Sequence, residues 1–379
     1  MTHDKRVTLT PHQQGIVDQV VAWFSDAIAG RTSKLELTLG GLAGTGKTTS
    51  LFEVLDAIRP WKVEVAAFTG KAVSVLRGKG MQSARTLHSL MYKPIETPHG
   101  IEFEKKDSVD CHGVIVDEAS MVDFSLYRDL QSYRVPVLYV GDMGQLEPIG
   151  NDPKLMKSPD LMLTEIHRQA WQSAIVRFAH HVRKGKTPAT FKDGGDDLTV
   201  MSKTGITAED DYDLILCGFN NTRQKINQGW RACRGYRGTV CSGDKVIVLK
   251  NEREFGVYNG LIGFVTDVYE SDKIVTRVRV EFDDGIPRVL PVATNQFGTQ
   301  KTLEEANRRD LREQPEVKRV YMDYAGAITC HKAQGSQGDK VAVAEELWSR
   351  WDSRRWRYTA ATRAAKDLTY GCRIPRCLR

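Results

Sequence analysis

A chain of 379 residues, 41% hydrophobic and 27% charged, has room for two or three packed domains and is neither a disordered polymer nor a stack of membrane spans. Its net charge of +6 suits a polyanionic partner without establishing one. Seven cysteines, with no C-x-x-C pair or zinc spacing, read as free thiols, and the polar start Met1–Arg6 and lack of a long apolar run predict a cytoplasmic, membrane-free protein.

In chain order, Thr10-Pro11 marks a helix start, with Thr10 as N-cap and Pro11 in the first turn, and Ile16, Val20, Phe24 and Ile28 repeat at helical spacing. Leu35–Leu39 alternates like a strand, and Thr48–Ile58 reads as a helix. Between them Gly41-Leu-Ala-Gly44-Thr45-Gly46-Lys47-Thr48 fits the phosphate-loop pattern G-x-x-x-x-G-K-[ST] at every fixed position. Glycines let such a backbone curl around a phosphate, and the helix start turns N–H groups and a positive dipole end toward it. Gly41, Gly44, Thr45, Gly46, Lys47, Thr48 and Thr49 are therefore the candidate nucleotide contacts, with Thr48 also a candidate Mg²⁺ ligand.

Val63–Phe68, Val114–Val116 and Val137–Val140 read as short buried strands of a parallel sheet. The second ends in Asp117-Glu118: Asp117 suits Mg²⁺, and Glu118 suits activation of a water. The third leads to Gln145, placed to sense a terminal phosphate. Met91–Asp110 predicts a small hairpin insert, and Trp171–Arg183 a helix. Leu214–Cys217 is another buried strand, followed by a helix carrying Ile226, Trp230 and Cys233. The basic run Arg223, Lys225, Arg231, Arg234 and Arg237 around Trp230 and Tyr236 reads as a solvated helix face over a core Trp230; Trp348, Trp351 and Trp356 read as packing. Beyond Gly243 the texture changes to short strands at 244–250, 261–268 and 273–282, joined by turns at 258–260 and 283–285, which predicts an inserted antiparallel barrel. Thr302–Glu313 reads as an exposed helix, and the α/β texture resumes near Val320.

The order of motifs resembles a superfamily-1 DNA helicase of the RecD/Dda-like branch. Leu9-Thr-Pro-His-Gln13 is similar to the Q motif, 68–72 to motif Ia, 86–90 to motif Ib, 163–169 to motif IV, 327–336 to motif V and 358–364 to motif VI. Two departures stand out: Glu147 occupies a usual proline of motif III, and Gln337-Gly338 replace a usual Glu-Phe after motif V. The resemblance implies two RecA-like P-loop domains, 1–165 and 166–242 plus 320–379, with a possible pin hairpin at 91–110 and an SH3-type β-barrel inserted at 243–319. It implies an ATP- and Mg²⁺-dependent DNA helicase acting on single-stranded and forked DNA in replication, recombination or repair, in the 5′→3′ direction, of phage or bacterial type and with single-strand-binding or replisome proteins as partners. An ATP-driven translocase that strips proteins and unwinds weakly is the rival, and a non-catalytic nucleic-acid-binding scaffold a more distant one.

By matched motif position, Gln13 would read adenine, Gly335 would contact nucleotide, and Arg168 and Arg363 would approach from the second domain as arginine fingers. Thr69, Lys71, Thr86, His88, Thr329, His331 and Lys332 would grip the DNA backbone, and Ile101 or Phe103 would supply a strand-separating wedge.

Overall fold

The structure is a computed structural model that describes residues 9–97, 100–147, 151–200, 212–257, 259–271, 274–283, 285–299, 305 and 318–372. The chain divides into two compact units, Met1–Val176 and Arg177–Arg379. Among the described residues, no helix is long and apolar enough to cross a membrane.

The first unit opens with α1 (Pro11–Ile28), which begins where the Thr10-Pro11 signal places it and closes its first turn with a Thr10/Gln13 capping box. Then follow β1 (Glu36–Gly41), α2 (Lys47–Ala57), β2 (Val63–Ala67), α3 (Gly70–Gly78), β3 (Arg85–Thr86) and α4 (Leu87–Met91). The insert is a two-stranded antiparallel hairpin of β4 (Tyr92–Thr97) and β5 (Gly100–Lys105), as its sequence predicts. After it come β6 (Gly113–Asp117), α5 (Phe124–Gln131), β7 (Val137–Gly141), β8 (Leu161–Leu163) and α6 (Arg168–Gln172).

These strands form a six-stranded sheet in the order β3-β2-β6-β7-β1-β8, and every pair in it is parallel. The strands are nearly continuous apolar runs because both faces are covered: Val20, Phe24, Leu51 and Leu76 pack with Leu39 and Ile115 on one side, Leu87, Leu126 and Leu130 with Val116 and Tyr139 on the other. Strand order puts β7 between β1 and β6, so the C-terminal ends of all three lie side by side. In open parallel sheets that edge is where ligands bind.

Helix α7 (Ala174–Arg183) crosses the division between units. The expected helix at 171–183 is thus two helices, broken at Ser173, whose φ of −69° and ψ of 126° are extended. The second unit continues with β9 (Leu198–Val200), β10 (Leu214–Cys217), α8 (Asn220–Cys233), β11 (Lys245–Val248), β12 (Ile262–Ser271), β13 (Val275–Phe282), β14 (Pro287–Ala293), β15 (Met322–Tyr324), β16 (Ala327–Thr329), β17 (Gly338–Val343), α9 (Ser353–Ala361) and β18 (Ala364–Tyr370). One sheet, β16-β10-β17-β18-β9, is wholly parallel. The other, β14-β13-β12-β11-β15, is antiparallel and buries Thr276, Val278, Val280 and Phe282 while exposing Arg277, Arg279 and Glu281, the alternation that its sequence predicts.

The antiparallel sheet departs from the expected barrel in two ways. It is open, with no closed barrel among the described residues; a single parallel bridge of Val292 with Val320 links β14 to the chain entering β15. It also takes its fifth strand from Met322–Tyr324, beyond the expected boundary at 319. The helix expected at 302–313 lies outside the described residues but for Glu305, as do Tyr258 and Asp284 of the two expected turns.

Helix α8 fastens the two sheets of this unit. Arg231 bonds both oxygens of buried Asp244 at 2.7 and 3.0 Å, and Arg223 pairs with Asp323 of β15 at 2.7 Å. Asn227 holds the β15–β16 link through Tyr324 O, Ala327 O and Ala327 N. The basic helix is therefore not simply a solvated face. Its two innermost arginines are spent on buried carboxylates, while Lys225 and Arg234 remain exposed. Trp230 is core, as expected.

Candidate nucleotide and nucleic-acid site

The phosphate loop joins β1 to α2. Gly44 and Gly46 have φ of +84° and +82°, a region that side chains rarely tolerate. Space is as restrictive as torsion. A Cβ at Gly41 would stand 2.6 Å from Thr45 Oγ1, and one at Gly44 would stand 3.0 Å from Ala170 Cβ. At Gly46 it would collide with Gln13 Nε2 and His167 Nε2. Thr45, almost fully buried, turns its hydroxyl onto Leu42 O at 2.8 Å. Thr48 and Thr49 follow Lys47 in the first turn of α2.

Lys47 Nζ donates to Gly41 O at 2.7 Å and Leu42 O at 3.1 Å and lies 3.6 Å from Asp142 Oδ2. The ammonium is held inside the loop by neutral oxygens and one acid. Asp142, at the end of β7, is buried and accepts from Gly144 N at 2.8 Å. An acid directly after a buried strand is the sequence signal that marks it, as at Asp117, although the candidate residues above do not include it.

Asp117 ends β6, where burial and then the adjacent Glu118 carboxylate push its pKa up to about 6. Glu118 adopts φ +53°, ψ 39°, a left-handed conformation unusual for a non-glycine residue and costly to hold. That turn aims its carboxylate toward Gln145, whose Nε2 lies 3.5 Å from Glu118 Oε2. Gln145 itself is buried. Lys47, Asp117, Glu118 and Gln145 therefore converge at the ends of neighbouring strands.

Gln13 does more than cap α1. Its Nε2 donates to Thr45 O at 3.1 Å while its Oε1 accepts from Thr10 N at 3.1 Å, so helix α1 braces the phosphate loop. His167, which sequence reasoning did not single out, meets Gln13 Nε2 through its ring, and its backbone N–H donates to Gly44 O at 3.0 Å. Ile166 and Ala170 close the same side of the loop. These contacts place Arg168, the first residue of α6, in the first unit, and the division falls after Val176 rather than at 165. The backbone around Arg168 is tied to the loop of the first unit.

In the second unit Arg363 is buried. Its Nε donates to Thr359 O, its Nη1 to Ser336 O and its Nη2 to Thr362 Oγ1, each at 3.1 Å. Gly335, next to Ser336, has φ +71°.

The proposed DNA-backbone residues divide. Thr69 and Thr86 are N-caps, accepting from Ala72 N at 3.1 Å and Ser89 N at 3.2 Å, so packing already uses both hydroxyls. Lys71 lies in the first turn of α3, and the His88 ring lies 5.6 Å from that of Tyr92. Thr329, His331 and Lys332 lie together at the end of β16, where Thr329 Oγ1 accepts from Lys332 N at 3.4 Å. Burial lowers the pKa of His331. Lys332 is exposed, yet the crowding of its ammonium and then the Arg223 guanidinium push its pKa down to about 8. Ile101 and Phe103 lie on β5, opposite Glu96 and Pro94.

Comparison with known proteins agrees with this geometry. Residues 25–201 match the model of the AAA domain, and residues 324–369 that of the UvrD-like helicase C-terminal domain. The ATP-dependent RecD2 DNA helicase of Deinococcus radiodurans is 27% identical over 95% of this chain and 48% of its own length. The ATP-dependent DNA helicase dda of Enterobacteria phage T4 is 30% identical over 48% of this chain and 45% of its own. The chain is similar to the RecD/Dda-like superfamily-1 helicases. It spans less than half the length of these curated relatives. The fold of this RecD/Dda-like chain is also that of Bacteroides Pif1 bound to ssDNA, at a TM-score of 0.59 and 20% identity over 98% of this chain and 94% of that one.

The crowding at Gly46 gives a direct test. Gly46→Ala combines a disfavoured φ with a collision, so nucleotide affinity should fall at least about tenfold, the scale of ~1–3 kcal/mol of local strain. Calorimetric titration with an ATP analogue measures it. Affinity equal to the parent's would show that the loop is not the nucleotide site.

Proposed function

We propose that this chain is an ATP-dependent DNA helicase that moves along single-stranded DNA and separates duplex at forks. The observation that carries the proposal is the convergence of Lys47, Asp117, Glu118 and Gln145 on one glycine-lined loop at the C-terminal edge of a parallel sheet. A loop of N–H groups at a helix start suits a triphosphate, and a half-buried carboxylate at a strand end beside it suits a hard divalent cation. Thr48 and Asp117 would hold Mg²⁺, which neutralises phosphate charge when bound.

Lys47 exchanges its carbonyl contacts for phosphate oxygens. Glu118 orients the attacking water and takes its proton, and Gln145 fixes the Glu118 carboxylate. Arg168 and Arg363 carry the arginine-finger assignment. Support for Arg363 is a buried guanidinium bonded to neutral oxygens, a charge still lacking an anionic partner in those contacts. Gln13 sets the loop's position and reads the adenine edge. We assign Thr329, His331 and Lys332 to the DNA backbone with Lys71 and His88, and Thr69 and Thr86 act there as the N-caps that fix the starts of α3 and α4. The 5′→3′ direction, the strand-separating role of the 92–105 hairpin, the SH3-type reading of the inserted sheet, a cytoplasmic setting and partners at a replication fork follow the family.

The proposal is tested by DNA-stimulated ATP hydrolysis. Lys47→Ala and Glu118→Gln should each lower turnover by about 10²-fold or more, the scale of a positioned acid or base. Only Lys47→Ala should weaken nucleotide binding strongly. Near-parental turnover in either variant contradicts the assignment.

Lys332 supplies a pH test. A lysine is charged below its pKa, so its phosphate contact is complete at pH 7 and fades as pH rises through 8 toward the ordinary lysine value, solvent screening moving the midpoint upward. Single-strand affinity should then fall by up to about fivefold across that window, the scale of one exposed ion pair at ~1 kcal/mol. Lys332→Arg, charged throughout, should flatten the profile. Equal profiles in the two proteins would remove Lys332 from the DNA track.

A further inference from the structure

The second unit carries an aromatic cluster outside its hydrophobic core. Strands β10, β16 and β17 run parallel and end at the same edge of the sheet. Beyond β10 lies Phe219, beyond β16 His331 and Lys332, and beyond β17 the irregular segment that carries Trp348 and Trp351. Trp351 is the hub. Its ring stacks on Phe219 at 5.1 Å and 26°, meets His331 at 5.1 Å and meets Trp348 edge-on at 6.0 Å. Phe219 is 39% and Trp348 45% exposed, whereas Trp356, nearby in sequence, is fully buried. Packing therefore accounts for Trp356, but not for the rings left in water.

The cluster is built, not incidental. Glu346 accepts from Gly218 N at 2.9 Å, Phe219 N at 3.2 Å and Thr222 Oγ1 at 2.6 Å, tying the start of α8 to the tryptophan segment. A Cβ at Gly218 would stand 2.8 Å from Glu346 Cβ and 3.2 Å from Trp351 Cζ3, so only glycine permits this approach. Arg357 bonds Glu345 at 2.8 Å, and Trp351 N donates to Trp348 O at 2.9 Å, which fixes the segment further. The adjacent carboxylates are thus engaged: Glu346 with the α8 start, Glu345 with Arg357, and Asp352 with the N-terminus of α9. Cations remain at the surface, with exposed Lys332 beside His331 and the Arg350 guanidinium 5.0 Å from the centre of the Trp348 ring.

We propose that Trp348 and Phe219, held by Trp351, form a base-stacking platform that takes unpaired nucleobases of a strand whose phosphates lie on Thr329 and Lys332. The inference rests on the reading of the chain as a single-strand binder and adds a base contact to the backbone contacts of that reading. A pre-fixed π surface beside exposed cations matches a single strand, because every base has a π face and every phosphate a charge. The platform therefore recognises the unpaired state and not sequence. It disfavours duplex, whose bases are already stacked on each other.

The test titrates the full chain with oligothymidylate and with an abasic strand of equal length, read by fluorescence anisotropy. The parent should prefer oligothymidylate. Trp348→Ala and Phe219→Ala should each weaken oligothymidylate binding by about tenfold, within the range for loss of one stacked base. Abasic-strand affinity and the salt dependence should hold, because the phosphate contacts remain. Trp348→Phe should recover most of the loss, and unchanged melting temperatures would show that the variants fold. Variants that bind oligothymidylate like the parent, or that lose both strands equally, overturn the platform. A parent that binds neither strand overturns the single-strand reading itself, and the platform with it.

Discussion

Crowding around Gly46 is the constraint on which the candidate site depends. The loop must turn through a left-handed residue at the start of α2, and Gln13 of α1 and His167 before α6 pack into the space a side chain would occupy. Both neighbours also bond the loop backbone, Gln13 through Thr45 O and His167 through Gly44 O. The loop is thus clamped from two sides by chain segments more than a hundred residues apart in sequence. A clamped backbone presents its N–H groups without paying again for order when a ligand arrives, which is the advantage of a pre-formed anion site.

Strand order does the rest. With β7 lying between β1 and β6, the loop, Asp142 and the Asp117-Glu118 pair emerge at one edge although they are spread over a hundred residues of chain. The electrostatics follow from that juxtaposition. Burial and then the adjacent Glu118 carboxylate raise the pKa of Asp117, while Lys47 sits against Asp142 and loop carbonyls. In the second unit the same logic gathers Phe219, His331, Lys332 and the tryptophan segment at one edge of another parallel sheet.

What the sequence made legible was local. The phosphate loop, the Thr10-Pro11 helix start, the apolar strands that lead to Asp117 and to Gln145, and the alternation on β13 each reside in a few adjacent residues, so periodicity and turn chemistry suffice to read them. Features created by long-range contact were not legible. His167 shows nothing in sequence that ties it to Gly44, nor do Ile166 and Ala170, which close the same side of the loop. The inserted sheet read as a barrel because its strands are short and alternating, but closure depends on pairing between its first and last strands, which alternation does not encode. Arg223 and Arg231 looked solvated because their carboxylate partners, Asp323 and Asp244, lie 100 and 13 residues further on, respectively. Thr69 and Thr86 gave an ambiguous signal, since the hydroxyl that suits a phosphate also suits a helix cap.

In the function proposed, hydrolysis at the clamped loop drives movement on a single strand. The most direct measurement is strand displacement by the full chain on duplexes carrying a 5′ or a 3′ single-stranded tail, with and without ATP. ATP-dependent displacement of the 5′-tailed substrate is expected, with little of the 3′-tailed or blunt one. ATP hydrolysis indifferent to single-stranded DNA, with no displacement of either tailed duplex, would contradict that function.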